Sequence, residues 1–467
     1  MCEWAVEHGL LRRQRDETTG EWFPTAVPLS LYPATFPASL YYHAQHIQPL
    51  FNVLVHRMVV QRHWLEGLCE RLARHDDFVA QLLNIWKQSK EPRLRLGVFR
   101  SDYFAHVSEN GTLELKQVEL NTIAASFPYL AELLTNCHQQ QCENPHLNPN
   151  PNPNPNQIQE QRLPGGLQIP DNRAAHEIAA CMSTACLLFA NKHEIPAKDL
   201  CCVMIVDAEE GNIYDQNGLA ELVDSPVFRL SLSEAFGTLC LSTTGHLQLE
   251  HKTVALVYFR SGYAPTDYVS ADCWAARLRI EQSTSVRVPD IGCHLAGLKK
   301  VQQELSDPQA LALFIPEEDE ARNLQDTFVE LLALDADDHG DENAQRALTS
   351  PSKWVIKPQR EGGGHNIYDT DIPDFLSSTS RTERAAHILM ERILPRTEPL
   401  MLLRNGRLWV GEAVSELGIY GGILVNDGVV VENRAAGYLV RSKPSNVHEG
   451  GVAAGFAYLN SIQLLVD

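Results

Sequence analysis

Between about Leu40 and Leu72 the apolar residues Ile47, Phe51, Leu54, Val55 and Met58 recur at helical spacing. Pro49 interrupts this run, and a proline in a helix interior forfeits a hydrogen bond, so the pattern predicts helical packing with a break there. From Leu96 the texture changes to strand-like runs, "LGVFRSDYFAHV" and then "GTLELKQVELNTIAASF". Asn110-Gly111 between them favours the positive φ angles of a tight turn, which predicts a hairpin. From about Leu200 to Gly297, apolar runs ("LCCVMIV", "TVALVYFR") alternate with helical stretches ("QNGLAELV", "CWAARLRIEQS"). That rhythm predicts a doubly wound subdomain at 200–297.

The acidic stretch Leu334 to Asn343 reads as a solvated loop. After it come strand patterns around "KWVIKP", "HILMERI", "LWVGEAVSEL" and "GGILVNDGVVVE", with turns at "RNG" and "NDG". The whole chain therefore reads as mixed α/β, with a largely antiparallel C-terminal third. One segment fits neither period. "NPNPNPNPN", Asn148 to Asn156, loses every second amide donor and offers no apolar face, so an exposed, disordered insertion is expected at about 143–160.

Length adds that 467 residues exceed what one core usually holds, about 250 to 300, so two or three subdomains are expected. No run of roughly 18 consecutive uncharged apolar residues occurs, which predicts a soluble protein without a membrane span. Charged residues punctuate Met1 to Pro24, unlike the apolar stretch of a secretory signal, and the cytoplasm is the expected location. The 11 cysteines are scattered, which fits buried, reduced thiols. Cys137 with Cys142, Cys181 with Cys186, and His43 with His46 do not amount to a four-ligand zinc set. A formal charge of −20 argues against a nucleic-acid partner, and it requires any site for an anionic small molecule to be a local basic pocket.

The positive residues gather most informatively in "KWVIKPQREGGGHNIY", Lys353 to Tyr368. Three consecutive glycines between two strand patterns give backbone amides that can approach an anion closely. The loop is no Walker A motif, since GxxxxGK[ST] is absent. Lone glycine runs are mostly flexible hairpin tips. Here Lys357, Arg360 and Glu361 flank the run and supply the cation and carboxylate that a phosphate with Mg²⁺ requires.

This segment resembles the glycine-rich lid loop of the eukaryotic glutathione synthetases, members of the ATP-grasp superfamily. Further strings match that family in the same order: "FRSDY", "KQVELNTIAASF", "NIYDQ", "YFRSGYAP", "PDIGCHLAGLKKVQQEL", "ILMERI", "SELGIYG" and "GGVAAG". The likeness spans nearly the whole chain except the Asn-Pro insertion. It implies an ATP-grasp fold with an antiparallel-sheet ATP-binding core and a doubly wound substrate-binding subdomain. The implied divisions are 1–199 and 298–467 for the ATP-grasp body, with a lid at about 330–410, and 200–297 between them.

The resemblance implies formation of glutathione from γ-glutamylcysteine and glycine, consuming ATP through an acyl phosphate, by a homodimer. Glu119, Asn121 and Glu361 become Mg²⁺ ligands, two ions per site. For ATP it implies Glu119, Lys299, Lys357, Glu361, the glycines Gly362, Gly363 and Gly364, Asn366 and Tyr368. It adds the segment Met390, Glu391, Arg392 and Ile393 around adenine, Glu416 for the ribose, Lys443, and Glu449 where the family commonly has Asp.

For the dipeptide and glycine it implies Arg100, Ile123, Ala124, Ala125, Ser126, Glu210, Asn212, Gln216, Arg260, Tyr263, Arg441, Val452 and Ala453. Arg100, Arg441 and the glycine triad are the implied catalytic groups. Ala124 stands where family members often carry Ser, leaving only backbone contact. Arginines suit carboxylate substrates because a guanidinium holds a carboxylate through two parallel hydrogen bonds. Two alternatives stay open at this point: an amide ligase with a different amine acceptor, and an ATP-binding protein without the chemistry. Kinase strings of the "HRD" and "DFG" type are absent.

Overall fold

Alternation along strand Leu94–Val107 sets the architecture around it. Phe99 and Tyr103 point to one face and join a core with helix Ala38–Val60, through Tyr41, Ile47, Phe51 and Leu54. Leu96 and Val98 point to the other face and pack with helices Pro128–Glu143 and Ala174–His193. Each fully buried side chain of this size contributes about 1.5–3 kcal/mol, so both faces fix the register strongly. Farther along the second face, the apolar residues give way to Arg100 and Asp102. Here the sheet stops being a core wall and becomes a site wall.

The coordinates form a computed structural model that describes residues 2–143, 168–361 and 363–466. The Asn148 to Asn156 stretch and Gly362 lie outside the described residues. Leu94–Val107 belongs to a seven-stranded sheet with strands Leu113–Asn121, Arg407–Asn426, Val429–Pro444, Tyr458–Asn460, Leu29–Ser30 and Thr397–Arg404. The hairpin expected at Asn110-Gly111 is present, with Gly111 at φ +83°. A four-stranded antiparallel sheet joins Leu331–Ala333, His387–Glu391, Trp354–Pro358 and Ile367–Tyr368. Between 200 and 297, strands Val227–Leu230, Leu200–Ile205, Lys252–Phe259 and Val286–Val288 run parallel. A hairpin, Leu239–Leu241 with Leu247–Leu249, adds antiparallel pairs to that sheet.

Three local expectations are corrected. Helix Ala38–Val60 runs through Pro49 without a break, because its buried face outweighs the bond that the missing Pro49 N–H would have made to the Gln45 carbonyl. The acidic segment is only partly loop: helix Asp338–Thr349 begins inside it, with the Asp337 side chain accepting from the Gly340 amide at 2.8 Å. Acidic residues there complement the helix N-terminus. "LWVGEAVSEL" and "GGILVN" form one strand, Arg407–Asn426. The glycines inside it mark close approach rather than a turn, since a Cβ at Gly421 would lie 2.1 Å from Asn52 Oδ1.

Eight of the described cysteines are buried, while Cys142 and Cys240 are exposed. Among the described residues, no helix is long and apolar enough to cross a membrane.

Candidate active site

Antiparallel register lays the polar residues of four neighbouring strands on one face of the large sheet. Glu119 pairs with Asp102, and Asp102 with Gly418; Asn121 pairs with Arg100; Glu416 pairs with Arg441, and Val414 with Lys443. Period-two geometry then points Glu119, Asn121, Arg100, Asp102, Glu416, Arg441 and Lys443 the same way. The smaller sheet answers with Val355, Lys357, Tyr368 and Met390, which its register also puts on one face. A cleft of ≈ 270 Å³ is lined from both sheets.

Most of the implied ATP residues line this cleft: Glu119, Lys299, Lys357, Glu361, Gly363, Asn366, Tyr368, Met390 to Ile393, Glu416, Lys443 and Glu449. So do Asn121, Arg100, Ile123, Ala124, Ser126, Tyr263, Arg441, Val452 and Ala453. Gly364 sits beside it, donating its amide to Glu449 Oε2 at 2.8 Å. Ala125 is buried in the core instead.

Lys299 starts helix Lys299–Leu305, and its Nζ lies 3.1 Å from Glu119 Oε2 and 3.0 Å from Glu361 Oε1. Two carboxylates thus share one buried cation. Burial pushes the Glu361 carboxyl up, with Lys299 opposing it, to about 7. Burial acts the same way on Glu119, yet Lys299, Lys357 and Arg441 together hold it well below the usual carboxylate range. Lys299 is pulled down by burial and raised further by Glu119 and Glu361. Lys357 is lowered by burial, and its Nζ donates to the Val118 carbonyl at 3.0 Å.

The donor chemistry suits a hard cation. Asn121 turns Nδ2 toward Asp102 Oδ2 at 2.9 Å, leaving Oδ1 as its acceptor in a cleft that Glu119 and Glu361 also line. Among the described residues no group of three or more His, Cys, Asp or Glu forms a metal cluster, so a cation here would need the Asn121 oxygen and oxygens from a ligand.

Glu210, Asn212, Gln216 and Arg260 do not line the cleft; they form an adjoining polar group. Glu210 accepts from the Asn212 amide and from Gln216 Nε2, each at 2.5 Å. Arg260 Nη2 lies 2.9 Å from Asp215 Oδ2. Arg260 Nε and Nη1 and Asn212 Oδ1 are buried without a hydrogen-bond partner. Buried groups of this kind are normally satisfied, so these atoms suit a polar ligand.

The sequence reading missed several residues here. Asp215 accepts the amides of Phe127 at 3.0 Å and Tyr129 at 2.9 Å, tying the Ala124 to Phe127 loop to Arg260. Ala124 and Phe127 hold positive φ values of 51° and 74°, the kind of local strain that clusters at binding loops. Asp102 pairs with Arg100 and Arg441. Arg360, already singled out beside the glycine run, lines the cleft and pairs with Asp76 at 2.6 Å. His448, also on the lining, stacks against Tyr368 with ring centroids 5.1 Å apart. Asp102 and Asp215 both fall within quoted strings, "FRSDY" and "NIYDQ", and the signal available was a carboxylate one or two positions from an assigned residue.

The model of the ATP-binding domain of eukaryotic glutathione synthase matches residues 1–464. The chain belongs to the eukaryotic glutathione synthase family. Within that family it is 36% identical to the chloroplastic glutathione synthetase of Solanum lycopersicum, over 99% of this chain and 83% of that protein. It is 34% identical to the glutathione synthetase of Homo sapiens, covering 98% and 94%. It is 33% identical to the Dictyostelium discoideum glutathione synthetase, covering 98% and 96%. Among solved structures, a glutathione synthetase-like effector from Globodera pallida in its apo form superposes with a TM-score of 0.74 at 19% identity, covering 99% and 95%. That likeness speaks to the fold alone.

Proposed function

We propose that this protein is a glutathione synthase, an ATP-dependent ligase that joins γ-glutamylcysteine to glycine and releases ADP and phosphate. The observation that carries the reading is the sharing of Lys299 by Glu119 and Glu361 in a cleft that also holds Lys357, Arg100 and Arg441, in a chain of this family. Family membership also supports the finer parts: an ATP-grasp arrangement of the two sheets, its three-part division, the glycine loop as lid and a homodimer.

In the first step a cysteinyl carboxylate oxygen of the dipeptide attacks the γ-phosphorus, and the bond to the ADP oxygen breaks. In the second, the glycine amine attacks the acyl carbon, phosphate leaves with the carbon–oxygen bond, and the nitrogen loses a proton. Lys299, Lys357 and Arg441 offset the phosphate charge, an electrostatic contribution that grows in a buried site. Arg100 is assigned the oxyanion of the tetrahedral intermediate. Glu119, Asn121 and Glu361 would hold Mg²⁺, which when bound neutralises phosphate oxygens.

Arg260, with two unpaired buried donors, and Glu210 suit the carboxylate and amino group of the γ-glutamyl end. The glycine loop and the Gly450 to Gly455 loop exclude water from the acyl phosphate. Small residues at Ala453 and Ala454 leave room for glycine.

Mass-spectrometric product analysis after mixing the protein with Mg-ATP, γ-glutamylcysteine and glycine tests this. Glutathione and ADP in equal amounts are expected. Bound ATP with no product would indicate a silent nucleotide-binding protein, and product only with another amine would indicate a different amide ligase.

A further inference from the structure

Four hydrogen bonds converge on the carboxylate of Asp102, which is 1% exposed. Oδ1 accepts from Arg100 Nε at 2.6 Å. Oδ2 accepts from Arg100 Nη2 at 2.8 Å, Arg441 Nη2 at 2.7 Å and Asn121 Nδ2 at 2.9 Å. These donors come from three strands of the large sheet, and all three residues line the cleft. The strand opposite makes room: a Cβ at Gly418 would lie 2.6 Å from Asp102 Oδ1 and 2.8 Å from Arg100 Cδ. A missing side chain and a converging carboxylate are two independent signs of a built arrangement.

We infer that Asp102 is the positioning residue of this site, fixing Arg100 and Arg441 for the acyl group and the amide orientation of Asn121 for the phosphate-bound cation. The roles of the positioned groups rest on the ligase reading above; the positioning itself rests on the distances. Arg100 presents two nitrogens to the two oxygens, which fixes the plane of its guanidinium. An amide can turn either end toward a neighbour, but a carboxylate only accepts, so Asp102 selects Nδ2 and leaves Asn121 Oδ1 for the cleft. Asparagine at position 102 would weaken that selection to the longer bond, 3.4 Å, that Asn121 Nδ2 donates to the Arg100 carbonyl, because it offers both a donor and an acceptor. One buried group thereby couples the acyl side of the site to the phosphate side.

The full-length D102N and D102E variants test this by steady-state kinetics and by calorimetric titration with ATP, with and without Mg²⁺, in the absence of dipeptide. Thermal melting records how much of each variant is folded. D102N is expected to lose about 100-fold in kcat, as small misplacements of reacting groups do. Its affinity for Mg-ATP is expected to fall about 10-fold while that for metal-free ATP changes little, in keeping with lost support behind a metal ligand. D102E keeps the charge with a longer reach and is expected to fold and show a smaller loss in both, so it decides the matter should D102N not fold.

Wild-type kcat and wild-type Mg-ATP affinity in the folded variants would overturn the inference. An equal loss of affinity for ATP with and without Mg²⁺ would overturn it too, since a merely structural defect predicts that. If the wild-type protein forms no glutathione, the ligase reading fails, and the calorimetric comparison still decides the role of Asp102.

Discussion

The Glu449 carboxylate accepts the backbone amide of Gly364 at 2.8 Å, joining the glycine loop to the loop that follows strand Val429–Pro444. Its other oxygen accepts from the Asn366 amide at 3.2 Å. The two loops therefore meet over the cleft through a side chain one methylene longer than the Asp implied by the family pattern. In E449A this contact is gone, and with the two loops closing the site as proposed, water is expected to gain entry to the acyl phosphate. ADP formation is expected to exceed glutathione formation, so the product ratio, measured in one reaction mixture, departs from one. A ratio of one in E449A would mean that the Glu449 contact does not keep water out.

Gly363 holds φ +75°, and a Cβ there would stand 3.2 Å from the Gly450 carbonyl oxygen. A β-branched residue meets both obstacles, and the left-handed backbone alone costs roughly 1–2 kcal/mol. G363V is expected to cut turnover strongly while leaving thermal unfolding of the rest nearly unchanged. Unaltered turnover would remove the lid role of this loop.

Removing the Glu361 carboxylate leaves Lys299 with Glu119 alone and takes one oxygen from the implied Mg²⁺ set. E361A is expected to lose product formation at all Mg²⁺ concentrations. Wild-type rates at limiting Mg²⁺ would contradict the assignment.

Short-range pattern revealed the strands and turns, because alternation and Asn-Gly chemistry are local. Thus Glu119 and Asn121 were legible as same-face neighbours, and Lys357 as the end of a strand. What local pattern could not show is which strands lie side by side. Glu119, Asp102 and Gly418 become neighbours only through register across three strands, so Asp102 stayed hidden although Arg100, two residues away, was assigned. The ligand roles came through family resemblance, since a Glu-x-Asn pair by itself reads equally as a solvated sheet edge. Pro49 and the glycines of Arg407–Asn426 misled for the same reason: a local rule was overruled by packing from distant segments.

His138 offers a pH dependence separate from the cleft. Its ring is fully buried on helix Pro128–Glu143, between Ser461 Oγ at 2.7 Å and the Ser30 carbonyl at 3.2 Å. Burial lowers its pKa from 6.5 to about 4, and the Ser30 carbonyl only partly opposes this. As pH falls below 6.5 the unfolded chain takes up a proton at this position while the folded chain does not until about 4, so acid favours the unfolded state across that window. The stabilisation is complete above the unfolded value and is lost as pH drops toward the folded one. At pH 5 the loss amounts to about 2 kcal/mol relative to neutral pH. In H138N the ionising group is absent, so the fall in urea midpoint between pH 7 and pH 5 should be smaller than in the wild type, whatever the absolute stability of the variant. Equal falls in the two proteins would show that His138 does not carry this part of the acid sensitivity.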